Sequence, residues 1–290
     1  MLDICIIGHI SLDKIVTPQS VAFKPGGTSI YMAKSLLHSG LKYKLVTALS
    51  FEERQFVDDL RAEGVEVDAL PSPHTVYFEN IYSEDQDHRD QRVEQKALPF
   101  RVANIPPIDA KVVHLGPLLY DDIPTKLIEK LAKKSLISLD VQGYLRHVRQ
   151  KKVVYQDWAD KKKVLPFVHT LKANEFEMNV LTGQTDAHEG ARYLADLGVR
   201  EVIITLGSKG SLIYRDGTFY PILAAQPSAV VDATGCGDTY MAGYLWRRLQ
   251  GSSIEEAGDF GSVLAAAKIS SSGPFSGSPA FISSLLNQEV

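Results

Sequence analysis

The chain carries Asp232-Ala233-Thr234-Gly235-Cys236-Gly237-Asp238 directly ahead of an amphipathic segment over residues 239–250. Two glycines around one small residue let the backbone turn sharply and let an anion approach its N–H groups. The helix that follows adds roughly half a positive charge at its N-terminus, and Asp238 falls in its first turn. One short loop thus combines an anion site with a carboxylate able to take a proton, the pairing that phosphoryl transfer uses. The same helix field predicts an ionised Asp238. Taken alone, the stretch also reads as a glycine-rich turn with an N-terminal acid, a common way to start a helix.

On either side of this loop, short apolar runs alternate with helical patterns. Residues 4–7, 45–49, 112–115, 136–139, 168–171 and 202–206 are mostly continuous apolar runs rich in β-branched residues, as parallel strands covered on both faces require. Between them, residues 28–39 place Ile30, Ala33 and Leu37 on one helical face and end before Gly40. Residues 185–197 end before Gly198, and Ser253-Ile254-Glu255-Glu256 has capping-box spacing and opens a helix to about Ile269. The alternation predicts an α/β fold with a doubly wound, mostly parallel sheet. Residues 14–24 and 74–99 break the rhythm with alternating patterns and no helix, so they are expected to form a small β lid on a single domain spanning 1–290. Two ordinary surface excursions fit that pattern equally. Residues 270–279 read as a loop and 281–286 as a last short helix.

Bulk properties narrow the function. The 290 residues are 44% apolar and 23% charged, ordinary for a globular protein with a sizeable core. A formal charge of -4 indicates neither a nucleic-acid nor a membrane partner. The basic cluster at residues 146–163 reads as a solvated surface segment. Cys5 lies in an apolar run and Cys236 in the glycine loop, so no disulfide is expected. The first eight residues read as a buried strand rather than a signal peptide, and no apolar run reaches transmembrane length; a cytoplasmic location is expected.

Competing glycine motifs do not fit. No G-x-x-x-x-G-K-[ST] occurs, and Gly235-x-Gly237 lacks the third glycine of a dinucleotide fingerprint because Tyr240 stands there. The two cysteines lie far apart, and no zinc motif is present. Residues 232–240, with Met241-Ala242-Gly243 after them, resemble the C-terminal signature D-T-x-G-A-G-D-x-F of the ribokinase-like (pfkB) carbohydrate kinases. Ala233 stands for Thr, Cys236 for Ala and Tyr240 for Phe. The resemblance spans nearly the whole chain in a consistent order. Gly8-His9-Ile10-Ser11-Leu12-Asp13 is similar to the family's opening strand and substrate-binding aspartate, and Pro25-Gly26-Gly27-Thr28 to its di-glycine motif. Leu171-Lys172-Ala173-Asn174-Glu175-Phe176-Glu177 contains its N-x-x-E. Thr205-Leu206-Gly207-Ser208-Lys209-Gly210 is similar to its nucleotide turn, and residues 261–273, Ser262 among them, to the helix and loop against the adenine.

The resemblance implies an ATP-dependent kinase acting on a hydroxyl of a small sugar, cyclitol or nucleoside. It implies that Asp238 is the general base and that Gly235, Cys236 and Gly237 form an anion hole through their amides. Asp13, Gly26 and Gly27 would bind the acceptor. Asn174 and Glu177, three apart on a helical turn, would organise Mg²⁺ through its waters; an N-cap with a helix-favourable acid is the plainer alternative. Lys172 would reach a phosphate, and Thr205, Gly207, Lys209, Gly210 and Ser262 would line the nucleotide cleft. The stretch Asp140-Val141-Gln142-Gly143-Tyr144-Leu145-Arg146 ends a strand at the ligand edge of the sheet, which places Asp140 and Arg146 toward substrate. A βα loop with a capping acid is the alternative there. A monovalent cation near residues 270–273 and a homodimer through an open lid edge are further expectations.

Two departures leave the acceptor open. Tyr31 stands where sugar kinases often place an Asn, and the loop after Leu49 lacks the usual glycine-bearing acidic turn. Tyr31 with Lys172-Ala173 resembles inositol-kinase-like members. Two other classes compete: a non-catalytic nucleotide- or sugar-binding regulator on the same fold, marked by binding without product, and a Rossmann-type oxidoreductase, marked by binding of NAD(H).

Overall fold

The apolar runs become the middle of a nine-stranded sheet. The computed structural model describes residues 1–82, 89–275, 277, 278, 280–282 and 284. In chain order the elements are β1 (Leu2–Ile7), β2 (Ser11–Val16), β3 (Val21–Gly26), α1 (Thr28–Ser35), β4 (Tyr43–Leu49), α2 (Gln55–Ala62), β5 (Glu66–Pro71), β6 (Val76–Tyr82), β7 (Arg89–Gln95), β8 (Ala110–Leu115), α3 (Thr125–Leu131) and β9 (Leu136–Asp140). They continue with β10 (Arg146–Arg149), β11 (Lys152–Tyr155), α4 (Lys161–Val164), β12 (Thr170–Asn174), α5 (Glu175–Thr182), α6 (Ala187–Asp196), β13 (Glu201–Thr205), β14 (Ser211–Arg215), β15 (Thr218–Ile222), α7 (Cys236–Leu249) and α8 (Ile254–Ile269).

The main sheet has the order β15-β14-β13-β12-β9-β8-β1-β4-β5. Neighbours from β13 to β5 are parallel, and β14 with β15 adds an antiparallel edge. Helices cover both faces. Ile4 and Ile6 point into a core shared with α1, α7 and α8, while Cys5 and Ile7 point into one shared with α3, α5 and α6. All four are fully buried, which is why β1 shows no apolar-polar alternation. Strand and helix bounds shift modestly from expectation: β12 begins at Thr170 rather than 168, and α1 ends at Ser35 rather than 39. Of the expected last helix over 281–286, residues 281, 282 and 284 are helical and the others lie outside the described residues.

A second sheet, β10-β11-β7-β6-β2-β3, is built from the two segments that broke the helical rhythm; residues 83–88 of the second lie outside the described residues. It also recruits a hairpin that the sequence concealed. The start of the basic segment 146–163 is not a plain solvated surface: β10 and β11 pair and join β7 where Lys152 meets Arg92. The outward face of such a hairpin is rich in Lys and Arg, so its charge masks the strand pattern. His9, just past β1, helps tie this layer down. Its Nε2 donates to the Leu98 carbonyl at 3.1 Å, its Nδ1 lies 3.2 Å from Asp122 Oδ2, and its ring stacks on Phe100.

Cys5 and Cys236 are both free thiols. Among the described residues no helix is long and apolar enough to cross a membrane. The C-terminal ends of β1, β8, β9, β12 and β13 point one way, the edge at which open α/β sheets hold ligands.

Candidate active site

Gly235 sets the geometry of the loop. It adopts a left-handed conformation, φ 75°, that turns the chain into α7. Any side chain there would also run into the Tyr31 ring. No side chain caps α7. The Cys236 amide is committed to Ala233 O at 3.2 Å, so the first-turn donors offered to a ligand are those of Gly237 and Asp238. Burial pushes the Cys236 thiol up to about 11, so it stays protonated and is no nucleophile.

Asp238 sits in that first turn, and Thr28 at the start of α1 hydrogen-bonds its carboxylate. The residue keeps some accessible surface, but its carboxyl is crowded by protein. That burial, followed by the charge of Asp140, raises its pKa to about 7 against the pull of Lys172 and Thr28. The expectation of a fully ionised aspartate is thereby corrected. Burial and two neighbouring carboxylates outweigh the partial charge of one helix terminus. A pKa near neutrality suits a general base better than an ordinary aspartate would.

Lys172 of β12 is the cation beneath this group. It is 5% exposed, donates to Asp140 Oδ2 at 2.8 Å, and lies 2.8 Å from the place a Cβ on Gly237 would take. A side chain at 237 would push the ammonium aside. Desolvation acts to lower the lysine pKa, but Asp140, Glu177 and Asp238 outweigh it and keep the ammonium charged. Asp140 in turn is held below the usual carboxylate range: burial opposes ionisation, and Lys172 overcomes it. Its Oδ1 accepts from the Gln142 amide at 3.0 Å, so the capping alternative for Asp140 is also realised. Asp140 therefore faces Lys172 and its own turn.

Asn174 and Glu177 form a reciprocal capping box on α5, each side chain accepting the other's amide at 2.8 Å. Glu177 is 2% exposed and also accepts from Gln142 Nε2 at 3.3 Å. Burial raises its pKa, and Lys172 opposes the rise. Among the described residues no group of three or more His, Cys, Asp or Glu is placed to hold a metal ion. The donor set therefore fits a hydrated Mg²⁺ carried on a phosphate donor with Glu177 nearby, and does not fit an all-protein cage.

On the lid side, Asp13 of β2 accepts from Ser11 Oγ at 2.7 Å and covers Gly26, where any side chain would strike its carboxylate. Gly27, with φ 93°, is the N-cap of α1 and passes so close to the His9 carbonyl that a Cβ would sit 2.5 Å away. Tyr31 is buried, its ring against Gly235 and its surroundings including Asp13 and Asp238. It forms a wall between the lid aspartate and the anion loop. Arg146 is 8% exposed, and its Nε is buried with no hydrogen-bond partner. It is close enough to favour ionisation of Glu177. That donor is open to a water or a ligand oxygen.

The residues expected to line a nucleotide fall on the other flank. Thr205 ends β13, and Gly207 and Lys209 form an exposed turn, with Lys209 3.9 Å from Glu175. Gly210 backs onto the Ile222 carbonyl. Ser262 donates to Leu223 O at 2.9 Å and accepts from the Ala225 amide at 2.8 Å, so it fastens the loop after β15 to α8. Beside it lies a cleft of about 530 Å³ lined by Ala225, Pro227, Val263, Ala266, Ser270 and Phe275, among others. Two participants were missed in the sequence. In the sequence Thr28 reads as the end of the di-glycine motif and a helix start, with no sign of its bond to Asp238. Lys268 passed unnoticed, although a lone cation after Leu264-Ala265-Ala266-Ala267 was a visible signal.

Known proteins similar to this chain are kinases with alcohol acceptors. The sequence matches the pfkB family carbohydrate kinase profile over residues 1–280. The cytidine kinase of Thermococcus kodakarensis is 30% identical over 269 residues, covering 88% of this chain and 92% of that protein. A solved pyrophosphate-dependent kinase in the ribokinase family, complexed with a pyrophosphate analog and myo-inositol, superposes with a TM-score of 0.88 at 31% identity, covering 97% of this chain and 99% of that one. The ribokinase of Thermotoga maritima, with a TM-score of 0.79 at 17% identity over 99% of this chain and 100% of that one, shares the fold. The chain belongs to the pfkB family of carbohydrate kinases, and it is a ribokinase-like phosphotransferase for a sugar, cyclitol or nucleoside.

Proposed function

We propose that this protein transfers the γ-phosphate of ATP to a hydroxyl of a small polyol, with Asp238 as general base. The observation that carries this is Asp238 itself, a carboxyl with a pKa of about 7 in the uncapped first turn of α7, beside Lys172. The acceptor lies between Asp13, Gly26, Gly27 and Asp238, with Arg146 donating to its oxygens. Its hydroxyl oxygen bonds to the γ-phosphorus, the bond from phosphorus to the β-γ bridging oxygen breaks, and ADP leaves while the hydroxyl proton passes to Asp238. The amides of Gly237 and Asp238, with Lys172, stabilise the negative charge on the transferring oxygens. Asn174 and Glu177 would hold Mg²⁺ through its waters, and the bound ion would neutralise phosphate charge. Closing the lid over the acceptor excludes water and limits wasteful hydrolysis of the donor.

The donor admits a second reading, because three of the structural relatives are pyrophosphate-dependent and the Lys172 ammonium beside Gly237 could meet a compact anion. ATP is favoured by the partly apolar cleft between residues 225–228 and α8, whose volume of about 530 Å³ suits a nucleoside. Donor consumption should be measured with ATP and with pyrophosphate across pentoses, hexoses, inositols and nucleosides. ATP is expected to support turnover at least tenfold faster with one acceptor class. Turnover with pyrophosphate alone selects the second donor. Tight binding of donor and acceptor with no product selects a non-catalytic regulator.

We also propose pairing through the lid. β3 is an edge strand, and Val21 and Phe23 on it are 57% and 59% exposed, an apolar patch at the edge that a second copy could cover. Light scattering at assay concentration is expected to give the mass of a dimer that Phe23→Lys reduces to a monomer. A monomer for the unaltered chain removes the proposal.

A further inference from the structure

Lys268 lies in the last turn of α8 with its side chain fully buried. Its Nζ donates to the backbone carbonyl of Asp232 at 2.6 Å and lies 3.4 Å from Asp232 Oδ2. The same ammonium sits 5.8 Å over the Tyr31 ring, which supports Gly235. One cation thus touches the first residue of the anion loop and the aromatic wall behind its turn. We infer that Lys268 is a built-in cation of the anion loop, taking the place that a monovalent ion near residues 270–273 would need, so that the enzyme works without one.

The oxygens a monovalent ion would use are already spoken for. Asp232 O accepts from Lys268, Oδ1 accepts from the Thr234 amide at 2.9 Å, and Oδ2 accepts from the Gly273 amide at 3.3 Å. Ser270 Oγ donates toward Ala229 O and Ala266 O, and the Lys268 carbonyl accepts from the Ser271 amide at 3.1 Å. A second cation among these groups would face a fixed ammonium and find no oxygen cage. The expected monovalent site therefore does not fit. Lys268 is a positioning residue, acting on a donor phosphate through Asp232 and Gly235. The inference rests on the phosphoryl-transfer reading of this loop.

The test compares the unaltered chain with Lys268→Ala, which leaves room for an ion, and Lys268→Met, which keeps most of the packing. Transfer and melting are followed in potassium, ammonium or tetramethylammonium chloride at one ionic strength. The unaltered enzyme is expected to change less than about twofold among the salts. Lys268→Ala is expected to lose about 10²-fold in kcat and to recover at least fivefold in potassium or ammonium but not in tetramethylammonium. Its melting temperature should rise with potassium as well, a readout that holds even if no acceptor is turned over. Potassium activation of the unaltered enzyme by tenfold or more overturns the inference. So does a folded Lys268→Met with full activity, or a folded Lys268→Ala that is indifferent to every cation in both rate and melting.

Discussion

Asp238→Asn is expected to lose about 10²–10⁴-fold in kcat, the range general bases contribute, while ATP still binds. The same change is expected to stabilise the protein above neutral pH. The folded-state pKa of Asp238 is raised from 3.8 to about 7. The folded state therefore binds this proton more tightly than the unfolded chain does. Its stabilising contribution is complete below pH 3.8 and is lost as pH rises through about 7. At pH 8 the wild type holds a crowded carboxylate next to Asp140, and the asparagine removes that charge. Its Tm at pH 8 should exceed the wild type by about 2–4 °C for each kcal/mol relieved, with no gain at pH 4. The matching kinetic sign is a wild-type kcat/KM that climbs about tenfold per pH unit below 7 and levels above it. A melting difference that grows toward acid, or a flat rate profile from pH 5 to 8, would contradict the assignment.

Lys172→Met is expected to be the most destabilising single change at the site. Removing one partner of a buried pair costs about 3–5 kcal/mol because the other charge is left without compensation. Here Lys172 answers three carboxylates, Asp140, Glu177 and Asp238. Urea unfolding should report the loss, and the double variant with Asp140→Asn should recover part of it, since the second carboxyl no longer needs a cation. The variant that remains folded should also show the acid limb of its rate profile moved to higher pH, because Lys172 is the charge that opposes protonation of Asp238. A loss of rate with the limb unmoved would make Lys172 a packing residue only. Stability losses that simply add in the double variant would argue against the pair.

The strands of the parallel sheet were plain in the sequence because burial on both faces leaves apolar runs such as Cys-Ile-Ile in β1. The loop at 232–238 was equally plain, since glycine spacing and an acid at a helix start are local features. What stayed hidden is non-local. Lys172 meets Asp140 across 32 residues, and Lys268 meets Asp232 across 36, each from a different element, so no spacing rule reveals either pair. The β10–β11 hairpin was concealed by its own solvated charge. The raised pKa of Asp238 is hidden for a related reason. The helix field is written in the local sequence, but the carboxylates that oppose it arrive from β9 and α5. The cap formed by Asn174 and Glu177 shows that a residue can serve local structure and a site at once.

The most direct test follows product in a single turnover at pH 8, with enzyme in excess over labelled ATP and the best acceptor present. The wild type is expected to form one phosphorylated polyol for each ADP. Asp238→Asn, shown by calorimetry to bind both ligands, is expected to form both at least about 10²-fold more slowly. Phosphorylated polyol appearing at the wild-type rate from the variant would contradict the central claim.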